Sequence, residues 1–109
     1  MEVAKLLLEG KDVDPNLPDV DDRTPLGGAA LEGHENVVKL LLECGNVDPN
    51  RPDKHEETPL GWAAVKGHER VVKLLLGRED VDPNRPGDQG GTPLWWAASE
   101  GHGGVVKLL

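Results

Sequence analysis

The chain has no phenylalanine and no tyrosine, and it has a single cysteine and a single serine among 109 residues. Its only aromatic side chains are Trp62, Trp95 and Trp96, so the apolar mass comes from Leu, Val and Ala. One cysteine excludes an internal disulfide and suits a reducing compartment. Cys44 follows Leu40-Leu41-Leu42 and reads as a spectator thiol. No pattern pairs Cys44 or Ser99 with a histidine, and there is no Gly-rich phosphate loop, so the expectation is a non-enzyme without cofactor or resident metal. Positive charge is also scarce: 12 Lys and Arg face 20 Asp and Glu, a net charge of −8. That excludes the basic footprint of a nucleic-acid binder, and it either favours a basic partner or simply keeps the protein soluble. No run approaches the roughly 18 apolar residues of a membrane span. No basic-then-apolar leader is present, so the expected location is cytoplasmic.

Gly and Pro, by contrast, are frequent and regularly placed. Thr-Pro-Leu occurs at 24–26, 58–60 and 92–94, Val-Asp-Pro-Asn at 13–16, 47–50 and 81–84, and Gly-His at 33–34, 67–68 and 101–102. Val-Val-Lys-Leu-Leu recurs at 37–41, 71–75 and 105–109, with Val3-Ala4-Lys5-Leu6-Leu7 as a further copy. Every interval is 34 residues, and segments 24–57 and 58–91 match at 21 of 34 positions. Self-similarity at this period predicts an all-α solenoid rather than a globular fold. The units run 1–23 (partial), 24–57, 58–91 and 92–109 (truncated), together one domain.

Each unit reads physically. Thr24, Thr58 and Thr92 are good N-caps, because the side-chain oxygen can accept a free backbone N–H. A proline follows each at the first helical position, where its missing N–H costs nothing. A short helix such as Pro59 to Ala64 follows, and Gly33, Gly67 or Gly101 ends it. A second helix, for example Glu69 to Leu76, is apolar around much of its circumference, which requires burial on more than one side. The Asp-Pro-Asn connectors with Pro18, Pro52 and Pro86 are stiff and extended. The segments 19–23, 53–57 and 87–91 are charged or Gly-rich and read as projecting β-turn fingers.

The string Thr58-Pro59-Leu60-Gly61-Trp62-Ala63-Ala64-Val65-Lys66-Gly67-His68-Glu69-Arg70-Val71-Val72-Lys73-Leu74-Leu75-Leu76 resembles the ankyrin repeat. The resemblance recurs in register over essentially the whole chain, and the copies resemble long fungal ankyrin arrays or a consensus-like engineered array. It implies stacked helix–turn–helix units whose fingers and first helices line a concave face, and a role in binding a partner protein through that face. Three departures stand out. The period is one residue longer than usual. The family's inter-repeat histidine after Thr-Pro-Leu is replaced by Gly27, Gly61 and Trp95. The finger glycine survives as Gly90 but is Asp22 and Glu56 earlier, and Glu is a poor left-handed residue, so those two turns are expected to differ in type. Gly27-Gly28 inside a helix costs roughly 1 kcal/mol per Gly relative to Ala, so the first full unit is expected to be the weakest.

Framework positions repeat almost verbatim, whereas the fingers and the far ends of the first helices vary. These positions are the expected partner contacts: Val20, Asp21, Arg23, Leu31 and Glu32; Lys54, His55, Glu57, Val65 and Lys66; Asp88, Gln89, Ser99 and Glu100. Gly91 varies with them. Trp62 and Trp96 join them as an apolar strip across successive first helices, with burial between units as the competing reading. His34, His68 and His102 recur at the helix-to-helix turn, where the resemblance assigns them a bracing role. His55, near Asp53, Glu56 and Glu57, is at most an adventitious metal ligand. Asp12-x-Asp14-x-Asn16 mimics the start of a calcium loop, but Leu17 and Arg23 stand where Gly and Glu are required. Asn and Asp beside Pro are better explained as turn formers. The sequence begins in a lone second helix, Glu2 to Glu9, and stops in another, Val105 to Leu109, without polar caps. The alternative expectation is therefore a structural unit that oligomerises through those ends or the Trp strip.

Overall fold

A computed structural model describes residues 14–109. Among them are six α-helices: α1 (Pro25–Glu32), α2 (Glu35–Glu43), α3 (Pro59–Lys66), α4 (Glu69–Leu76), α5 (Pro93–Ser99) and α6 (Gly103–Leu108), with one 3-10 turn at Asp88–Gly90 and no strand. The helix expected at Glu2 to Glu9 lies outside the described residues. The capping logic is visible at each first helix. The Thr24, Thr58 and Thr92 hydroxyls accept from Gly27, Gly61 and Trp95 N–H at 3.2, 3.1 and 3.2 Å. Gly33 and Gly67 close α1 and α3 in the left-handed conformation, both at φ 74°. α3 runs two residues past the expected Ala64, because Gly67 is the first position that allows this reversal. No described helix is long and apolar enough to cross a membrane.

α1, α3 and α5 pack side by side in one row, and α2, α4 and α6 in a second row against it. Small side chains set the first row: Ala29, Ala30, Ala63, Ala64 and Ala97 are buried and let these helices approach closely. Leu26 and Leu60 fill the space beside them, while Val38, Leu41, Val71, Val72, Leu75 and Val105 seal the second row from beneath. Each such Val or Leu contributes about 1.5–3 kcal/mol on burial. Lys39, Lys73 and Lys107 point outward and are exposed.

Polar ties then couple each unit to the next. Asn16 brackets the following connector, donating to Asn46 O at 2.7 Å and accepting from Asp48 N at 2.7 Å. Asn50 repeats the bracket on Asp80 O and Asp82 N at 2.6 and 2.8 Å. The Asp14, Asp48 and Asp82 carboxylates each accept from the backbone N–H two residues on, which is the turn-forming role. His68 Nε2 lies 3.1 Å from Leu31 O, and His102 Nε2 lies 3.0 Å from Val65 O. His68 and His102 thus join their units to the first helix of the unit before. Arg78 adds bonds to the carbonyls of Leu42, Cys44, Gly45 and Val47.

Candidate partner-binding face

The fingers are closed turns. In the first, Asp19 N donates to Arg23 O at 3.0 Å and Asp22 N to Asp19 O at 3.0 Å. The second repeats this with Asp53, Glu57 and Glu56 at 3.0 and 2.9 Å. Asp22 and Glu56 both adopt left-handed backbone, at φ 57° and 63°, as Gly90 does at 76°. The expectation that the non-glycine fingers change turn type is therefore corrected. The cause is the first finger residue: the Asp19 carboxylate accepts from Asp21 N and Arg23 N, and Asp53 from His55 N and Glu57 N, which holds each turn against the local strain. The third finger has Gly87 at that position, and it is the one that departs, with Gln89 also left-handed at φ 55°. Adjacent fingers touch: Lys54 N donates to Asp21 O at 2.9 Å, and Lys54 Nζ pairs with the Asp21 carboxylate at 2.6 Å. That pairing lowers the Asp21 pKa and raises that of Lys54.

Asp53 is the hub of the second unit. Beyond its own turn, its Oδ2 accepts from Trp62 Nε1 at 2.6 Å and pairs with Arg23 of the preceding finger at 3.1 Å. Arg23 lies over the Trp62 ring, 5.2 Å from its centroid, and His55 meets the ring edge at 6.4 Å. Burial pushes the Asp53 carboxyl up, but the Trp62 N–H, the backbone N–H groups of Glu57 and His55, and Arg23 outweigh it and hold it below the ordinary 3.8.

The glycines at 27 and 61 are explained by the same geometry. A Cβ on Gly27 would press on the Arg23 side chain at 3.0 Å, and one on Gly61 would overlap the Glu57 carboxyl. Each glycine is the opening through which the last finger residue reaches the next unit. Glu57 uses that opening to fold beneath the third finger, into the space a side chain at Gly87 would take. In the third unit the pair is reversed, with glycine at 91 and the bulk at Trp95. A Cβ on Gly91 would lie 2.5 Å from Trp96 Nε1, so the Trp96 ring occupies the room that the finger side chain gave up. The Trp95 and Trp96 rings meet edge to face at 5.0 Å and 90°. Trp96 Nε1 is buried and has no hydrogen-bond partner, because Gly87 offers no carboxylate where Trp62 finds Asp53. Gln89, Gly90, Gly91, Trp95 and Trp96 line a hollow of about 280 Å³.

The expected contact residues therefore separate. Val20 is 98% exposed at the first finger tip, and Lys54, His55 and Gln89 are exposed on the fingers. Arg23 is half-buried, and Glu57, at 2% exposure, is withdrawn from the surface. Trp62 and Trp96 are both half-buried, and no ring contact joins them among the described residues. Leu31, Glu32, Val65, Lys66, Ser99 and Glu100 lie at the far ends of the first helices, up to about 10 Å along the axis from the finger end. There the Leu31 and Val65 carbonyls already carry the histidine ties. Two residues were missed as contributors: Asp53, visible only as an acid near His55, and Trp95, which is 56% exposed beside the hollow. The alternation of side chain and glycine at the last finger residue and the third helical residue was the signal that could have found the coupling. Among the described residues no three His, Cys, Asp or Glu side chains are grouped to hold a metal ion. No curated protein matches the chain. A family model described as ankyrin repeats (three copies) matches residues 1–87 and 46–109.

Proposed function

The chain belongs to the ankyrin-repeat family, and from that premise we propose that it is a non-catalytic module that binds a partner protein through the finger-bearing side of its first helices. Ankyrin repeats generally mediate protein–protein interaction, which gives the class. The observation that carries the face is the contrast between framework and fingers: the repeated Leu, Ala and Thr of the first helices and their caps are largely buried, as at Thr24, Leu26, Ala29, Thr58, Leu60 and Ala63, while Val20, Lys54, His55 and Gln89 differ between units and stand in solvent. An apolar Val20 at 98% exposure has no role in the fold. The net charge of −8 favours a basic partner, with association weakened by salt as exposed charges are screened.

The immobilised chain, challenged with cell extract, tests this against two variants. Val20→Ser/His55→Ala/Gln89→Ala alters the fingers, and Lys39→Ala/Lys73→Ala alters the outer helices. Loss of the captured protein with the first and retention with the second is expected; the opposite pattern rejects the face. A second reading, self-association, draws on the exposed Leu94 and Trp95. Light scattering across a concentration series separates the two, since a monomer throughout excludes self-association.

A further inference from the structure

The first connector and finger differ from their later copies in one consistent way. Leu17, Arg51 and Arg85 share one register position, and Val20, Lys54 and Asp88 share another. In the second copy both places do internal work: Arg51 reaches back to Asn16 O at 3.5 Å, and Lys54 pairs with Asp21. In the first copy both residues are apolar, and both stand in solvent, Leu17 at 66% exposure and Val20 almost wholly. Neither belongs to the buried core. A neighbouring finger does not close such a place: Lys54 lies on the middle finger, between the other two, and 51% of its side chain is still exposed.

We propose that Leu17 and Val20 anchor a segment of the partner protein that carries apolar side chains between lysines or arginines, an inference that rests on the reading of the finger side as a protein-binding surface. Charge chooses the flanks of that segment. Residues 14–22 hold four aspartates and no lysine or arginine. Asp21 is taken by Lys54 and Arg23 turns to Asp53, which leaves Asp14, Asp19 and Asp22 exposed around the two apolar residues. A basic segment is attracted there and an acidic one is repelled. The surface is also set before a partner arrives. Pro15 and Pro18 fix the backbone around Leu17. Leu17 N donates to Asp14 O at 3.3 Å, and the Asp19 carboxylate accepts from Asp21 N and Arg23 N. Binding therefore orders little new backbone. The later copies carry Arg51, Lys54 and Arg85 at these places, and those cations repel the flanks of such a segment and direct it to the first copy.

The test is a titration of the isotope-labelled full chain, following the methyl signals of Leu17 and Val20 and the backbone amides of all three fingers. The probes are the peptide acetyl-Lys-Leu-Lys-Leu-Lys-amide, a counterpart with serine for leucine, and a counterpart with glutamate for lysine. The serine peptide keeps the charge and removes the apolar contact; the glutamate peptide does the reverse. The leucine peptide is expected to shift Leu17, Val20 and the amides of 19–22 saturably, about tenfold more tightly than the serine peptide. The glutamate peptide should leave them in place, and 53–57 and 87–91 should respond less. Leu17→Arg/Val20→Lys, which copies the second unit at two exposed positions outside the core, should remove the preference for leucine and leave the thermal unfolding curve unchanged. Equal binding of the serine peptide, equal or tighter binding of the glutamate peptide, shifts centred on the second or third finger, or a variant that keeps the preference would overturn the proposal. If the peptide fails while the finger variant still loses its captured protein, the binding-face reading stands without this anchor. If the finger variant keeps its captured protein, the face itself is wrong.

Discussion

The second and third units use one scaffold and one tryptophan register, and they finish it in opposite ways. In the second, the finger carboxylate of Asp53 satisfies Trp62 and Arg23 together, so ring, finger and preceding unit are locked to one another. In the third, glycine replaces that carboxylate, Trp96 Nε1 is left without a partner, and a second tryptophan stands beside it in solvent. The same register position thus carries internal coupling in one copy and a buried indole N–H without that carboxylate in the next. Variation between copies is a mixture of both: Arg23, Glu57 and Gly61 vary with their neighbours inside the stack, and Lys54 pairs with Asp21 of the preceding finger, whereas Val20 and Gln89 vary in exposed positions.

The largest way to break this contrast is Asp53→Ala. It strands Arg23, Trp62 Nε1 and two finger N–H groups, and should lower stability by about 3–5 kcal/mol in urea titration. An effect below about 1 kcal/mol would show that the hub is not energetically coupled. Next is Gly61→Ala, which forces the Glu57 carboxyl out of its channel and should cost about 1–3 kcal/mol. Adding Glu57→Gly, which imitates the glycine of the third finger, should recover most of that loss; a strictly additive double variant would contradict the channel. A smaller effect follows from acid. The Asp53 carboxyl titrates below its ordinary 3.8 in the folded chain, so its contribution is fully present above that pH and is lost as pH falls through the folded value. Asp53→Asn should therefore flatten the stability profile below about pH 4, as read by tryptophan fluorescence. Smallest is the contrast within the first unit: nothing lies within 4 Å of a Cβ at Gly28, whereas Gly27 faces Arg23 at 3.0 Å. Gly28→Ala should stabilise by up to about 1 kcal/mol and Gly27→Ala should not.

The last prediction also marks how far the sequence could be read. The helices, their threonine caps and their glycine stops were legible because each depends on residues within one or two turns, and the 34-residue period repeated the signal three times. The Asn-Pro turns were legible for the same reason, but the Asn bracket on the next unit was not, nor was the reach of His68 and His102 to the carbonyls of the unit before, since a brace within the turn was expected of them. What stayed hidden involves charge crossing between units. Glu57 on a finger reads as solvated, and only the three-dimensional channel past Gly61 turns it inward. Gly27 reads as a cost like Gly28 until Arg23 is seen lying against it. The finger turns were misread because local preference speaks against left-handed Glu, while the Asp53 side chain that enforces it acts from three residues away.

The central claim is that recognition belongs to the fingers and the first-helix row, with the outer helices serving as support. Hydrogen exchange on the chain with and without its captured partner tests it most directly. Slowed exchange is expected at residues 19–23, 53–57 and 89–91 and in the first turns of α1, α3 and α5, with α2, α4 and α6 unchanged. Slowing confined to the outer helices would contradict the account.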